Sequence, residues 1–155
     1  MTDADDMLAL DNQICFALYA ANRAITARYR PLLAELDLTY PQYLVMLVLW
    51  ERDSSGCTTG VSRLGKRLRL DSGTLTPLLK RLAARGLVLR QRSAEDERVV
   101  TLSLTEAGRA LQERARSVPE QLLSGLQVAP ERLLALREEL KAVLMALEGE
   151  GEPSD

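Results

Sequence analysis

The side chains able to do chemistry fall into two groups. The first is a pair of thiols, Cys15 and Cys57, in a chain with four tyrosines and no histidine. A cysteine reacts as its thiolate. No His or Lys lies near Cys15 to favour that form, and Arg23 is two helical turns away. Phenol hydroxyls donating to the sulfur would favour it, as would the amino end of a helix such as the one opening at Tyr40. The plain alternative is packing, because Cys15 falls on an apolar stripe with Ile14, Leu18, Ala21 and Ile25. The second group is basic. Between Arg63 and Arg98 stand ten Lys and Arg against four Asp and Glu, a net of +6 in a chain whose total is −2. Half of its 20 basic residues thus occupy 36 positions, the footprint of a phosphate-binding face. A solvated helix surface is the competing explanation, and the asymmetry between segment and remainder argues against it.

What is missing narrows the chemistry further. Without histidine there is no Ser-His-Asp or Cys-His unit within one chain. Two cysteines cannot close a thiolate/imidazole zinc site, and no Gly-rich phosphate loop of familiar spacing occurs. The sequence therefore predicts no catalytic residue, no metal and no cofactor.

The basic segment needs elements that present it. Leu75, Leu78, Leu79 and Leu82 fall at i, i+3, i+4 and i+7 and make one apolar stripe. Their helix is expected to end near Gly86, with Ser72, Thr76, Lys80 and Arg81 on the opposite side. Pro77 fits best if the regular helix starts near Thr74, which leaves it in the first turn. A shorter helical run, Val61 to Leu68, comes just before. Helix, tight turn and polar-faced helix make a helix-turn-helix. Two strand-like runs follow, Leu87 to Arg92 and Arg98 to Leu104, joined by Ser93-Ala94-Glu95-Asp96-Glu97. That adds a hairpin wing. The expected DNA-facing residues are Ser72, Thr74, Thr76, Lys80 and Arg81 on the helix and Arg90, Arg92 and Arg98 on the wing. Arg98 is placed to enter the minor groove, with Asp96 orienting its guanidinium.

Flanking helices complete the reading. One is predicted from about Asp11 to Glu35, with Pro31 kinking or ending it. Thr39-Tyr40-Pro41 opens the next, which stops by Asp53-Ser54-Ser55-Gly56. Thr105 caps a later helix, and Pro119 interrupts it. The last starts at Pro130, where Leu133, Leu136, Leu140, Val143 and Leu147 are spaced as a heptad seam. By length the 155 residues make one mainly α domain. The winged helix lies at about 58–104, between dimerisation helices at about 8–35 and 105–148. A homodimer would present two recognition helices to a pseudo-palindromic duplex about one helical turn apart. No signal peptide or membrane-length apolar run is apparent, so the expected compartment is the reduced cytoplasm. The acidic ends, Asp3 to Asp6 and Glu148 to Asp155, read as mobile.

The stretch from Gly65 to Arg98, with Leu70-Asp71-Ser72-Gly73-Thr74-Leu75-Thr76-Pro77, Arg85-Gly86-Leu87-Val88, Asp96-Glu97-Arg98 and then Leu104-Thr105-Glu106-Ala107-Gly108, resembles the MarR family of bacterial winged-helix repressors. Leu10-Asp11-Asn12-Gln13-Ile14-Cys15-Phe16-Ala17-Leu18-Tyr19 and Leu38-Thr39-Tyr40-Pro41-Gln42-Tyr43 are similar to its organic hydroperoxide resistance regulators. The match covers about Leu8 to Leu111. It implies a homodimeric repressor, not an enzyme. In it an organic hydroperoxide oxidises Cys15, and a small cellular thiol caps the product as DNA is released. It also implies that Tyr29 and Tyr40, with Tyr19 as a third, reach the thiolate across the dimer. Geometry agrees: Tyr29 lies 14 residues after Cys15, roughly 21 Å along a continuous helix. In two-cysteine members the resolving cysteine follows the wing, and here none follows Cys57. That favours the one-cysteine type, with Cys57 incidental in its exposed turn, while a Cys15–Cys57 disulfide stays open. Two other functions compete. One is a repressor released by a small aromatic ligand, with Cys15 only structural. The other is a thiol peroxidase.

Overall fold

The computed structural model describes residues 4–150. The chain divides into two units, Met1–Leu122 and Leu123–Asp155. Elements run α1 (Ala4–Met7), α2 (Ile14–Ala34), α3 (Tyr40–Ser54), β1 (Thr59–Gly60), α4 (Val61–Leu68), α5 (Ser72–Ala84), β2 (Val88–Arg92), β3 (Val100–Leu104), α6 (Glu106–Ala115), α7 (Val118–Leu123) and α8 (Pro130–Glu150). The mainly helical fold with a β-hairpin wing is as expected. Among the described residues, no helix is long and apolar enough to cross a membrane.

Capping side chains set most boundaries. Thr39 and Gln42 form a capping box at the start of α3, and Pro41 occupies the first turn, where its missing N–H costs nothing. Asp71 accepts from the Thr74 amide at 2.7 Å and starts α5. Thr105 accepts from the Gly108 amide at 3.0 Å and starts α6. The predicted α5 stripe is buried: Leu75, Leu79 and Leu82 are at or near zero exposure and Leu78 follows closely. Leu75, Leu79 and Leu82 pack with Val45, Met46, Leu49 and Trp50 of α3, Leu64 of α4, and Leu102 and Leu104 of β3. The Trp50 indole donates to the Gly108 carbonyl at 2.9 Å and ties α3 to α6.

The sheet has the order β1-β3-β2 and is antiparallel throughout. Val88 pairs Leu104, Arg90 pairs Leu102 and Arg92 pairs Val100. β1 was not anticipated. Its two residues pair Leu102 and Thr101, too short a run to show alternation in sequence.

Several boundaries differ from the sequence reading, among them the wing strands, which start at Val88 and Val100 rather than Leu87 and Arg98, and the break expected at Pro119, which falls ahead of it between α6 and α7. α2 starts at Ile14, not Asp11, because Leu10–Asn12 form a separate 3₁₀ turn. It runs through Pro31 and ends at Ala34, so the proline removes one bond of the last turns without breaking the helix. α5 starts at Ser72, two residues before Thr74, so Pro77 is its sixth residue rather than a first-turn one. The carbonyl this leaves unmet belongs to exposed Gly73, where water can take it. α8 continues through Glu148 to Glu150, so the start of the acidic tail is helical. At the other end Asp5 and Asp6, also expected to be mobile, belong to the short helix α1, while residues 1–3 and 151–155 lie outside the described residues.

Candidate functional site

One groove gathers much of the basic segment. A cavity of about 720 Å³ is lined by Ser62, Lys66 and Arg69 of α4 and its end, Ser72 and Thr76 of α5, and Arg90 and Arg98 of the wing. Of the sequence-predicted DNA residues, Ser72, Thr76, Arg90 and Arg98 meet there. Thr74, Lys80 and Arg92 are exposed but lie outside the lining. Arg81 instead lines a cleft with Asp37, Thr39 and Arg85. Ser62, Lys66 and Arg69 were not singled out from sequence. Their signal was present: Lys66 and Arg69 were part of the charge excess, and Ser62 is four residues before Lys66 on one helix face.

The wing is braced by its own side chains. Arg98 reaches Asp96 through Nε at 3.2 Å and Nη2 at 3.3 Å, while its backbone amide donates to the same carboxylate at 3.0 Å. These contacts hold the Asp96 carboxyl below its usual range, the guanidinium first and the amide second. The Arg98 side chain stays 91% exposed. A guanidinium is thus oriented at the wing tip and left free to meet another group. Arg92 donates to the Glu97 carbonyl at 3.0 Å and holds the loop instead.

The thiol side is built differently. Cys15 is exposed in the first turn of α2 and is a free thiol. The first turn of α2 thus places Cys15 at the amino end of its own helix. Ile14, Leu18 and Ile25 on the same helix are exposed, so the apolar stripe is not packed within the described unit. Tyr29 and Tyr40 stack with ring centroids 4.8 Å apart. Tyr43, which the sequence reading passed over, joins them at 5.7 Å from Tyr29 and 6.5 Å from Tyr40. Burial first, then the neighbouring Tyr40 and Tyr43, pushes the Tyr29 phenol up to about 12. It is a proton donor at every physiological pH. Tyr19 is apart from this cluster, 57% exposed, with the Arg23 guanidinium 5.6 Å over its ring and donating to its hydroxyl at 3.3 Å. Because α2 is continuous, Cys15 and the tyrosine cluster stand roughly 21 Å apart along one helix. Cys57 is exposed in the turn after α3, a second free thiol. It shares a small cavity with Asp53 and Arg109, which pair at 2.9 Å.

A recognition helix, its preceding helix and a three-stranded wing around a basic groove define a winged-helix DNA-binding protein. The chain belongs to the transcriptional regulators of the SarA/Rot family, a MarR-like winged-helix family whose model matches residues 27–114. It is 46% identical over 147 residues to the organic hydroperoxide resistance transcriptional regulator of Bacillus subtilis, covering 95% of this chain and 97% of that one. It is 47% identical over 148 residues to the HTH-type transcriptional regulator TtmR of Methylorubrum extorquens, covering 91% and 74%. Among solved structures, overoxidized AbfR of Staphylococcus epidermidis bound to DNA superposes with a TM-score of 0.74 at 36% identity, covering 94% and 99%.

Proposed function

We propose that this chain is a cytoplasmic, homodimeric transcriptional repressor that senses organic hydroperoxides at Cys15 and then releases a pseudo-palindromic operator. One observation carries the reading. Cys15 is exposed on an unpacked apolar stripe at a helix amino end, while the phenols suited to hold its thiolate lie roughly 21 Å down the same helix. A second copy running the other way would bring its Tyr29 and Tyr40 to this thiol. The name of the Bacillus subtilis relative and the overoxidized state of AbfR agree with redox sensing.

The chemistry balances with few participants. The positive end of the α2 dipole favours negative charge at Cys15, and Tyr29 and Tyr40 of the partner subunit would donate to the sulfur. The thiolate attacks the distal oxygen of the hydroperoxide, and the O–O bond breaks. A proton goes to the departing alkoxide, giving an alcohol and a Cys15 sulfenic acid. A small cellular thiol condenses with it, releasing water and leaving a mixed disulfide. The sulfur is consumed once per event, so the protein works as a sensor rather than an enzyme. Added bulk at Cys15 disturbs the dimer contact and, with it, the spacing of the two recognition helices. On DNA, Ser72, Thr74, Thr76, Lys80 and Arg81 would meet the major groove. Arg90 and Arg92 would meet phosphates, and Arg98, held by Asp96, the minor groove.

Fluorescence anisotropy on the duplex upstream of its own gene tests this. Reduced wild type and Cys15→Ser are titrated side by side with an organic hydroperoxide and a small thiol. Wild type is expected to release the duplex and Cys15→Ser to hold it. Binding by both proteins that peroxide leaves unchanged would sink the sensing role.

A further inference from the structure

α4 carries basic residues on two faces, and only one lines the recognition groove. Arg63 and Arg67 are one turn apart and about 100° around the axis from Ser62 and Lys66. With Arg52 of α3 and the buried Thr59 they line a separate cavity of about 260 Å³. Like charges at i and i+4 on a helix repel. A single carboxylate offsets them: Glu51 pairs with Arg67 at 2.6 Å. Among the described residues, none pairs with Arg63. Arg52 donates through Nη2 to the Thr58 carbonyl at 3.5 Å, but its Nε is buried with no partner. A buried donor left unmet is costly. Three guanidinium groups around one small cavity, one of them with an orphaned N–H, call for an oxyanion, and the planar guanidinium matches phosphate.

We propose that this cavity is a second phosphate site, which takes a backbone phosphate of the duplex beside the recognition groove. The inference rests on the reading of the chain as a DNA-binding regulator. It adds Arg52, Arg63 and Arg67 to the residues named for that role. In a helix-turn-helix the first helix crosses the backbone while the second enters the groove, and α4 is that first helix. A clamp on its outer face fixes register on the duplex and reads no base.

The test is an anisotropy salt titration of wild type, Arg63→Gln and Arg63→Gln/Arg67→Gln. The operator duplex is compared with an unrelated duplex of equal length, and Lys80→Gln serves as the reference for a weakened recognition helix. Both arginines are exposed, so melting temperatures should stay near wild type. The variants are expected to weaken both duplexes alike, by about tenfold for each arginine replaced at ~0.1 M salt. The slope of log K against log salt should fall by about one per subunit for each phosphate no longer neutralised. Arg63→Lys should recover part of the affinity. A second arm compares inorganic phosphate with chloride at equal ionic strength, read as melting temperature. A phosphate-dependent rise that disappears in the double variant, with the DNA slope unchanged, would keep a phosphate site but overturn its DNA source. An unchanged slope with no phosphate-dependent rise would overturn the site, and the regulator reading would stand if Lys80→Gln still weakens binding. If wild type bound neither duplex, the regulator reading would fall and the phosphate arm alone would decide the cavity.

Discussion

Tyr29 joins the packing of the fold to the chemistry proposed for it. Its ring stacks on Tyr40 and Tyr43 towards the carboxyl end of α2, and burial holds its hydroxyl protonated up to about 12. A phenol that never ionises near neutrality is available to donate to a thiolate, as the proposed sensing at Cys15 would require. The same shift predicts a pH effect. Once unfolded, Tyr29 releases its proton near 10.0; folded, it keeps it to about 12. Between those values the folded state holds more protons, so its stability falls as pH rises. Tyr40 and Tyr43 are raised by burial too and add to the trend. Melting temperature followed from pH 9 to 12 should decline less steeply in Tyr29→Phe than in wild type. Equal declines would mean that the cluster is more solvated than its packing implies. Cys15 was legible as a chemical residue from sequence, but its setting was not. A helix start three residues later than the pattern suggested puts it in the first turn. Tyr43 was missed because its spacing reads as core, and it is core at 3% exposure.

Among the elements, the junction of hairpin and α6 is the tightest. Thr105 caps α6, and its hydroxyl donates to the Gly86 carbonyl at 2.5 Å. Gly108 lies against the Leu87 backbone so closely that a Cβ there would run into the Leu87 carbonyl oxygen. Its own carbonyl accepts from Trp50. A glycine inside a helix normally costs about 1 kcal/mol relative to alanine. Here the order is expected to reverse. Gly108→Ala should destabilise the fold by about 2 kcal/mol or more, since strain from overpacking outweighs the propensity gain. A denaturant midpoint at or above wild type would show that the hairpin can shift aside. Elements of this kind were readable where periodicity and a cap coincide: the α5 stripe is buried as spaced beneath its Asp71 cap. α4 also runs Val61–Leu68 as expected. β1, with only two residues, was not readable. The groove shows the same division. Its α5 and wing residues carried a motif. Lys66 and Arg69 carried only charge, and charge alone does not say which way a side chain faces.

At the scale of the whole molecule, the apolar surface is larger than one copy needs. In the first unit, α2 buries only Leu33 of its 21 residues and leaves Ile14 72% exposed. In the second unit, α8 exposes Leu136 at 53%, Leu140 at 38% and Leu147 at 63%. Each of these uncovered apolar faces is, taken by itself, of the kind that marks an interaction site. The heptad spacing of α8 suits a helix of a second copy. The charge distribution fits the proposed DNA face: the +6 segment would meet the duplex, and the acidic remainder would be held off it. Leu136→Glu/Leu140→Glu should therefore shift the protein to monomer in sedimentation equilibrium. Burying one leucine is worth about 1.5–3 kcal/mol, and the double variant removes about four per dimer. A monomer still carries an intact winged helix, so weak non-specific binding should persist. A pseudo-palindromic operator of the kind proposed would need two recognition helices about one turn of DNA apart and should lose most of its advantage over random duplex. A variant that stays dimeric and keeps that advantage would place the interface on another face, and the proposed donation of Tyr29 and Tyr40 to Cys15 across that interface would fall with it.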